Sequence, residues 1–192
     1  AVVFLGSIKS NPACELLVAH GFRKARAFRS EDSIQRLADR SCPFVMIYRD
    51  EDPHAQSCWG GIRLARDDAR SGAGIYYTCR PGEWDHAPCG DLEDVALVYY
   101  RFDKQQEYLE TIWGGYTGRS TRLLAEMLRH GEADKFWPPA VDDGRVAVGV
   151  FIVRFVFRSP RKDEDVQVRP RKLRHKPEVI ALPKETIEPL LR

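Results

Sequence analysis

Two glycine-bearing stretches bring together groups that hold anions. Gly6-Ser7-Ile8-Lys9-Ser10-Asn11-Pro12 follows the apolar run Val2-Val3-Phe4-Leu5. Gly114-Gly115-Tyr116-Thr117-Gly118-Arg119-Ser120-Thr121-Arg122 follows the apolar-rich run Tyr108–Trp113. Each reads as a loop between a strand and a helix. A helix start offers free N–H groups and a partial positive charge of ~0.5, which suits a phosphate. Glycine lets a ligand approach the backbone, the hydroxyls and amide bond it, and Lys9 and Arg119 neutralise it. The expected ligand-binding set is Gly6, Ser7, Lys9, Ser10, Asn11, Gly115, Tyr116, Thr117, Gly118, Arg119, Ser120 and Thr121. Neither loop matches GxxxxGK[ST] or GxGxxG.

Groups suited to acid–base or covalent chemistry are sparse. Glu15 falls in the first turn of a helix after Pro12, where a carboxylate could attack or deprotonate beside a ribose. The ordinary role there is to balance the helix dipole. Asp85 and His86, beside Trp84, could act as an acid/base pair. Asp50, Glu51 and Asp52 could bind Mg²⁺ but read equally as a solvated loop. The five cysteines (Cys14, Cys42, Cys58, Cys79, Cys89) include no CxxC pair. Cys79, His86 and Cys89, even with His54 or Cys58, lack the close ligand pairs of a zinc site. No metal and no cofactor is expected. Trp59 and Trp84 lie in glycine- and proline-containing loops, where a base could stack.

The elements that must position these groups follow from pattern. Ala1–Leu5, Phe44–Tyr48, Ile75–Cys79, Val95–Tyr100, Tyr108–Trp113 and Val146–Phe157 read as strands, several with continuous apolar runs that fit burial on both faces. Helices are expected from Pro12 to Gly21, behind Ser30-Glu31-Asp32-Ser33 (Ile34, Leu37, Ala38), and from Ser120 to Gly131 with Leu123, Leu124, Met127 and Leu128 on one face. Arg26–Arg29 reads as a short strand, Asp50–Gly61 and Arg80–Gly90 as loops, and a short helix is expected after Pro183. The short turn between Val95–Tyr100 and Tyr108–Trp113 predicts an antiparallel pair. Strands alternating with helices predict a Rossmann-like α/β fold: a mixed, mainly parallel sheet with helices on both faces. Residues 1–158 are expected to form the ligand-binding domain and 159–192 a basic, proline-punctuated tail.

Val2-Val3-Phe4-Leu5-Gly6-Ser7 with Ser10-Asn11-Pro12, and Gly114-Gly115-Tyr116-Thr117-Gly118-Arg119-Ser120-Thr121, resemble Rossmann-like nucleotide-sensing domains of the SLOG group, relatives of LOG nucleotide-processing enzymes. The resemblance covers about a fifth of the chain. It implies nucleotide or nucleotide-sugar binding, in some bacterial cases beside DNA-binding or effector domains. The LOG motif PGGxGTxxE places an acidic residue where this chain reads Arg119-Ser120-Thr121-Arg122, so the resemblance does not extend to LOG hydrolysis.

The chain has 192 residues, 43% hydrophobic and 30% charged, with a formal net charge of +2. That balance is ordinary for a globular domain and excludes wholesale coating of a polyanion. No apolar run approaches the ~18 residues of a membrane span. The opening apolar run has no basic region before it, so no signal peptide is expected, and a start inside a strand suggests an excised or processed chain. With its unpaired cysteines the chain is expected to be cytoplasmic. Residues 154–176 hold nine Lys/Arg against Asp163, Glu164 and Asp165, a charge that suits nucleic acid or an acidic partner. The leading expectation is a nucleotide-type ligand sensor or regulatory domain, able to form homo-oligomers. A hydrolase cutting an N-glycosidic or phosphate bond, and a nucleic-acid-associated module using the basic tail, are the alternatives.

Overall fold

The computed structural model describes residues 1–6, 12–22, 42–47, 72–159 and 172–191. The strand and helix expected over 26–38, the acidic run at Asp50–Asp52, Trp59, and loop residues Ser7, Lys9, Ser10 and Asn11 lie outside them. So does the 160–171 stretch of the basic segment.

The main sheet has six strands: β1 (Val2–Leu5), β5 (Glu93–Asp103), β6 (Tyr108–Gly115), β7 (Val141–Asp142), β8 (Val146–Val156) and β9 (Glu178–Ala181). Their order is β1-β6-β5-β8-β7, with β9 also pairing β8. A second, three-stranded sheet runs β2 (Phe44–Ile47), β3 (Gly74–Arg80), β4 (Glu83–Pro88), all antiparallel. The longer helices are α1 (Pro12–Gly21) and α2 (Gly118–Arg129), with a 3-10 turn at Glu132–Phe136 and a short α3 at Lys184–Ile187. Among the described residues, no helix is long and apolar enough to cross a membrane.

This overturns the expected Rossmann-like α/β fold. The described chain is mostly β, and β1–β6 is the one parallel pair; β5–β6, β5–β8, β7–β8 and β8–β9 are antiparallel. Phe44–Met46 and Asp94–Tyr100 are buried on both faces, but the opening run is not: Val3 and Leu5 of β1 are exposed at the sheet edge, and the cover differs from a Rossmann sheet. Strand alternation sends Val95, Leu97 and Tyr99 into one core and Ala96, Val98 and Tyr100 into the other. The first core is shared with α1 (Cys14, Leu17, Val18) and with the second sheet (Phe44, Met46, Ile75, Tyr76). The second is closed by α2 (Leu124, Met127) and Phe136. A sheet thus takes the place of a helical layer, and an antiparallel strand pair can be buried on both faces as fully as a parallel one.

Local chemistry fixes the ends of the elements. Asp103 Oδ1 accepts from the N–H groups of Gln105 and Gln106 at 3.0 and 3.1 Å, closing the β5–β6 turn. Thr117 caps α2, its hydroxyl accepting from Arg119 N at 3.1 Å while Ser120 Oγ accepts from Thr117 N at 3.1 Å. Gly131, at φ 75°, takes the left-handed conformation just past the end of α2.

Candidate functional site at the carboxyl end of the sheet

β1 and β6 are parallel, and β8 runs the same way because both β6 and β8 oppose β5. The carboxyl ends of β1, β6 and β8 and the amino end of β5 therefore meet at one end of the sheet. Gly6, the described residue that opens the first expected loop, meets the second loop there. Gly6 N donates to Trp113 O at 3.0 Å. A Cβ on Gly114 would sit 2.7 Å from Gly6 O, so the two chains touch backbone to backbone.

The hydroxyls of the second loop serve the helix start. Ser120 Oγ and Thr121 Oγ1 donate to Thr117 O at 3.0 and 3.1 Å, and Gly115 N donates to Thr121 Oγ1 at 3.2 Å. Gly115 has no room for a side chain, since a Cβ would lie 2.2 Å from Thr121 N. Tyr116 is buried and its hydroxyl donates to Ile47 O at 2.7 Å, tying the loop to the second sheet. Gly118 is exposed at the first turn of α2.

Arg119 is drawn into a buried network that sequence reasoning did not foresee. Asp94, 1% exposed, accepts from Val95 N at 2.9 Å and from the Cys89 thiol at 3.6 Å through Oδ1. Its Oδ2 accepts a short bond from the Thr117 hydroxyl and a 3.2 Å bond from Arg119 Nε. The guanidinium also donates to Gly90 O and Glu93 O, each at 3.4 Å, and lies 3.9 Å from the centre of the Phe157 ring. A buried carboxylate needs such partners. The available signal was the acidic residue directly before the apolar run Val95–Tyr100, the last of Asp91, Glu93 and Asp94.

Beside this network lies a cleft of about 760 Å³ lined by residues 90–93, residues 156–159 and Arg174. Its walls come from the turn into β5 and the exit of β8. The Phe157–Leu173 bridge, with Arg158 N donating to Lys172 O and Arg174 N to Val156 O, holds the second wall. Arg158 and Arg174 are exposed on it. Their part of the basic segment is thus built into the same end of the sheet as α2.

The catalytic candidates are placed apart from one another. Asp85 and His86 are successive residues of β4, so their side chains leave opposite faces. Asp85 Oδ2 accepts from the Tyr77 hydroxyl at 3.0 Å, and the His86 ring stacks on Tyr76 at 4.2 Å. Burial lowers the His86 pKa, opposed by a backbone hydrogen bond to Ala73. Glu15 lies in the first turn of α1, with its side chain outside the described set. Burial pushes the Cys14 thiol up to about 11, which leaves it protonated and unreactive at neutral pH. Cys79 donates to Glu83 O at 3.6 Å, and among the described residues no three His, Cys, Asp or Glu side chains converge on a metal site. Trp84, expected in a loop, is on β4 and packs against the first core.

Searches of protein-family models, curated proteins and solved structures find nothing that matches this chain.

Proposed function

We propose that the chain is a binding module for a nucleotide-type anion, held in the cleft beside the start of α2 and sensed through Arg119. The observation that carries this reading is the position of the cleft. It opens where the start of β5 meets the exit of β8, with exposed Arg158 and Arg174 on one wall and Arg119 in contact with both walls. A helix start alone stabilises an anion by roughly 0.3–1 kcal/mol at a surface. Charge-assisted hydrogen bonds contribute about 1.5–3 kcal/mol each. The arginines therefore dominate.

Asp91 and Glu93 line the same cleft. They disfavour a long polyanion and suit a ligand that also carries hydroxyl or amino donors, as a ribose and a base do. Leu92, 36% exposed, adds apolar surface. A ligand that moves the 90–93 turn relative to Phe157 would displace Arg119, and with it the first turn of α2. That coupling is the regulatory element of the reading.

The test is a thermal-shift screen of adenine and guanine mono-, di- and triphosphates, their cyclic forms and inorganic phosphate, with mass spectrometry of the recovered ligand. Stabilisation by an intact nucleotide, lost in Arg158→Ala/Arg174→Ala, is expected. Both side chains are exposed, so that variant keeps the fold. Stabilisation by none of the panel contradicts the reading, and recovery of a cleaved product replaces it with the hydrolase.

A further inference from the structure

Seven residues along β5 from Glu93, roughly 24 Å at 3.4 Å per residue, the α2 face of the sheet carries a second feature. Trp137 is 64% exposed, yet it is fixed. Its N–H donates to Asp134 O at 3.1 Å, and its indole lies within 10° of parallel to the Tyr100 ring, centroids 6.4 Å apart. Tyr100 in turn lies flat across Gly149, where a Cβ would come within 2.4 Å of the ring. Phe151 supports it from the side, with centroids 6.1 Å apart. The indole is therefore an outward-facing plate backed on one side by the Tyr100 ring.

Two polar observations accompany it. Tyr100 is 9% exposed, and its hydroxyl is buried with no hydrogen-bond partner among the described residues. Such a group is uncommon in a folded protein. Burial, and then the Asp142 carboxylate, push that phenol up to about 12. Asp142 pairs with Lys104 Nζ at 2.6 and 2.8 Å, and Oδ1 also accepts from Gly144 N at 3.1 Å. The register sets Asp142 opposite Ala147, two residues along β8 from the Gly149 that Tyr100 covers and on the same face, and the ion pair brings Lys104 Nζ to it.

We propose that Trp137, Tyr100, Asp142 and Lys104 form a saccharide-binding platform, the indole stacking on the C–H face of a sugar ring and the ion pair engaging its hydroxyls. A sugar ring presents weakly positive C–H groups to the negative face of an aromatic ring. Its adjacent hydroxyls match a carboxylate acceptor and an ammonium donor held side by side. An aromatic cage for a cation needs rings on several sides, whereas Phe136 and Phe151 lie beneath the surface and leave one broad face. Recognition of a proline-rich segment needs an aromatic-lined groove, and the cleft described above is elsewhere.

The experiment is a glycan array on the intact chain, followed by titration of the bound sugars into wild type, Trp137→Ala, Trp137→Phe and Asp142→Asn. Circular dichroism and melting confirm that each variant is folded; Trp137→Phe keeps an aromatic plate if Trp137→Ala fails that check. Binding of a mono- or oligosaccharide is expected, weakened at least about tenfold by Trp137→Ala, less by Trp137→Phe, and measurably by Asp142→Asn. Arg158→Ala/Arg174→Ala should leave it unchanged, which separates this site from the nucleotide cleft. No sugar bound at millimolar concentration, or unchanged affinity in folded Trp137→Ala, overturns the proposal. So does capture of a proline-rich peptide or an anionic vesicle through Trp137 in place of any sugar.

Discussion

Asp94 shows how much one buried carboxylate organises. It joins the amino end of β5 to the α2 cap through Thr117 and to the cleft walls through Arg119. Asp94→Ala leaves Arg119, whose side chain is 27% exposed, and the Thr117 hydroxyl without their acceptor. Removing one partner of a buried pair costs about 3 kcal/mol or more, so the urea midpoint should fall sharply; a shift within error would show that the network is not structural. Thr117→Val should cost about 1 kcal/mol through the lost cap, read the same way. His86 makes a pH prediction. Burial holds its pKa below 6.5 in the folded chain, so the unfolded chain takes up the proton first as pH falls. Stability should drop from about pH 6.5 downward and level off once the folded-state pKa is passed. His86→Phe, which keeps a ring against Tyr76, should flatten that part of the melting-temperature profile.

At the scale of elements, the contact between the β1 and β6 exits is the most demanding. Gly114→Ala places a methyl 2.7 Å from Gly6 O and should cost about 1–3 kcal/mol while loosening β1, which hydrogen exchange at Val3–Leu5 would register. Protection at β1 equal to wild type would contradict that contact. Most strands and α2 were legible because their apolar patterns are local: Val95–Tyr100, Tyr108–Trp113 and Leu123–Leu128 each carry their own periodicity. The antiparallel β5–β6 pair was legible from its short turn, and the short helix after Pro183 from its proline. β4 was not. Glu83-Trp84-Asp85-His86 alternates, but Pro81, Gly82 and Pro88 at its ends marked it as a loop. The parallel sheet was misread because a doubly buried strand looks the same whether helices or another sheet cover it. For the candidate site, the contact of Gly6 with Gly114 follows from the parallel pairing of β1 with β6. The cleft was not foreseen, because Gly90–Glu93 and Val156–Ser159 meet only through the pairing of β5 with β8.

At the scale of the molecule, one sheet end gathers the exits of β1, β6 and β8, the capped start of α2 and a cleft flanked by arginines. The rest of the fold makes that end rigid. Val95, Leu97, Tyr99 and Ile152 are fully buried in one core, and Val98, Val153 and Phe155 in the other, each such side chain contributing about 1.5–3 kcal/mol. A rigid sheet with a helix start tied to a cleft can convert occupancy of the cleft into a displacement of α2. The nucleotide reading predicts that this occupancy depends on Arg158 and Arg174 and on little else of the basic segment. The deciding measurement is isothermal titration of the best-stabilising nucleotide into wild type, Arg158→Ala/Arg174→Ala and a control with Arg161 and Arg169 neutralised. The account predicts saturable one-to-one binding that the first variant loses and the control keeps. Equal binding by all three, or a loss shared by both variants and erased by added salt, would contradict a built cleft and point to diffuse attraction by the basic segment.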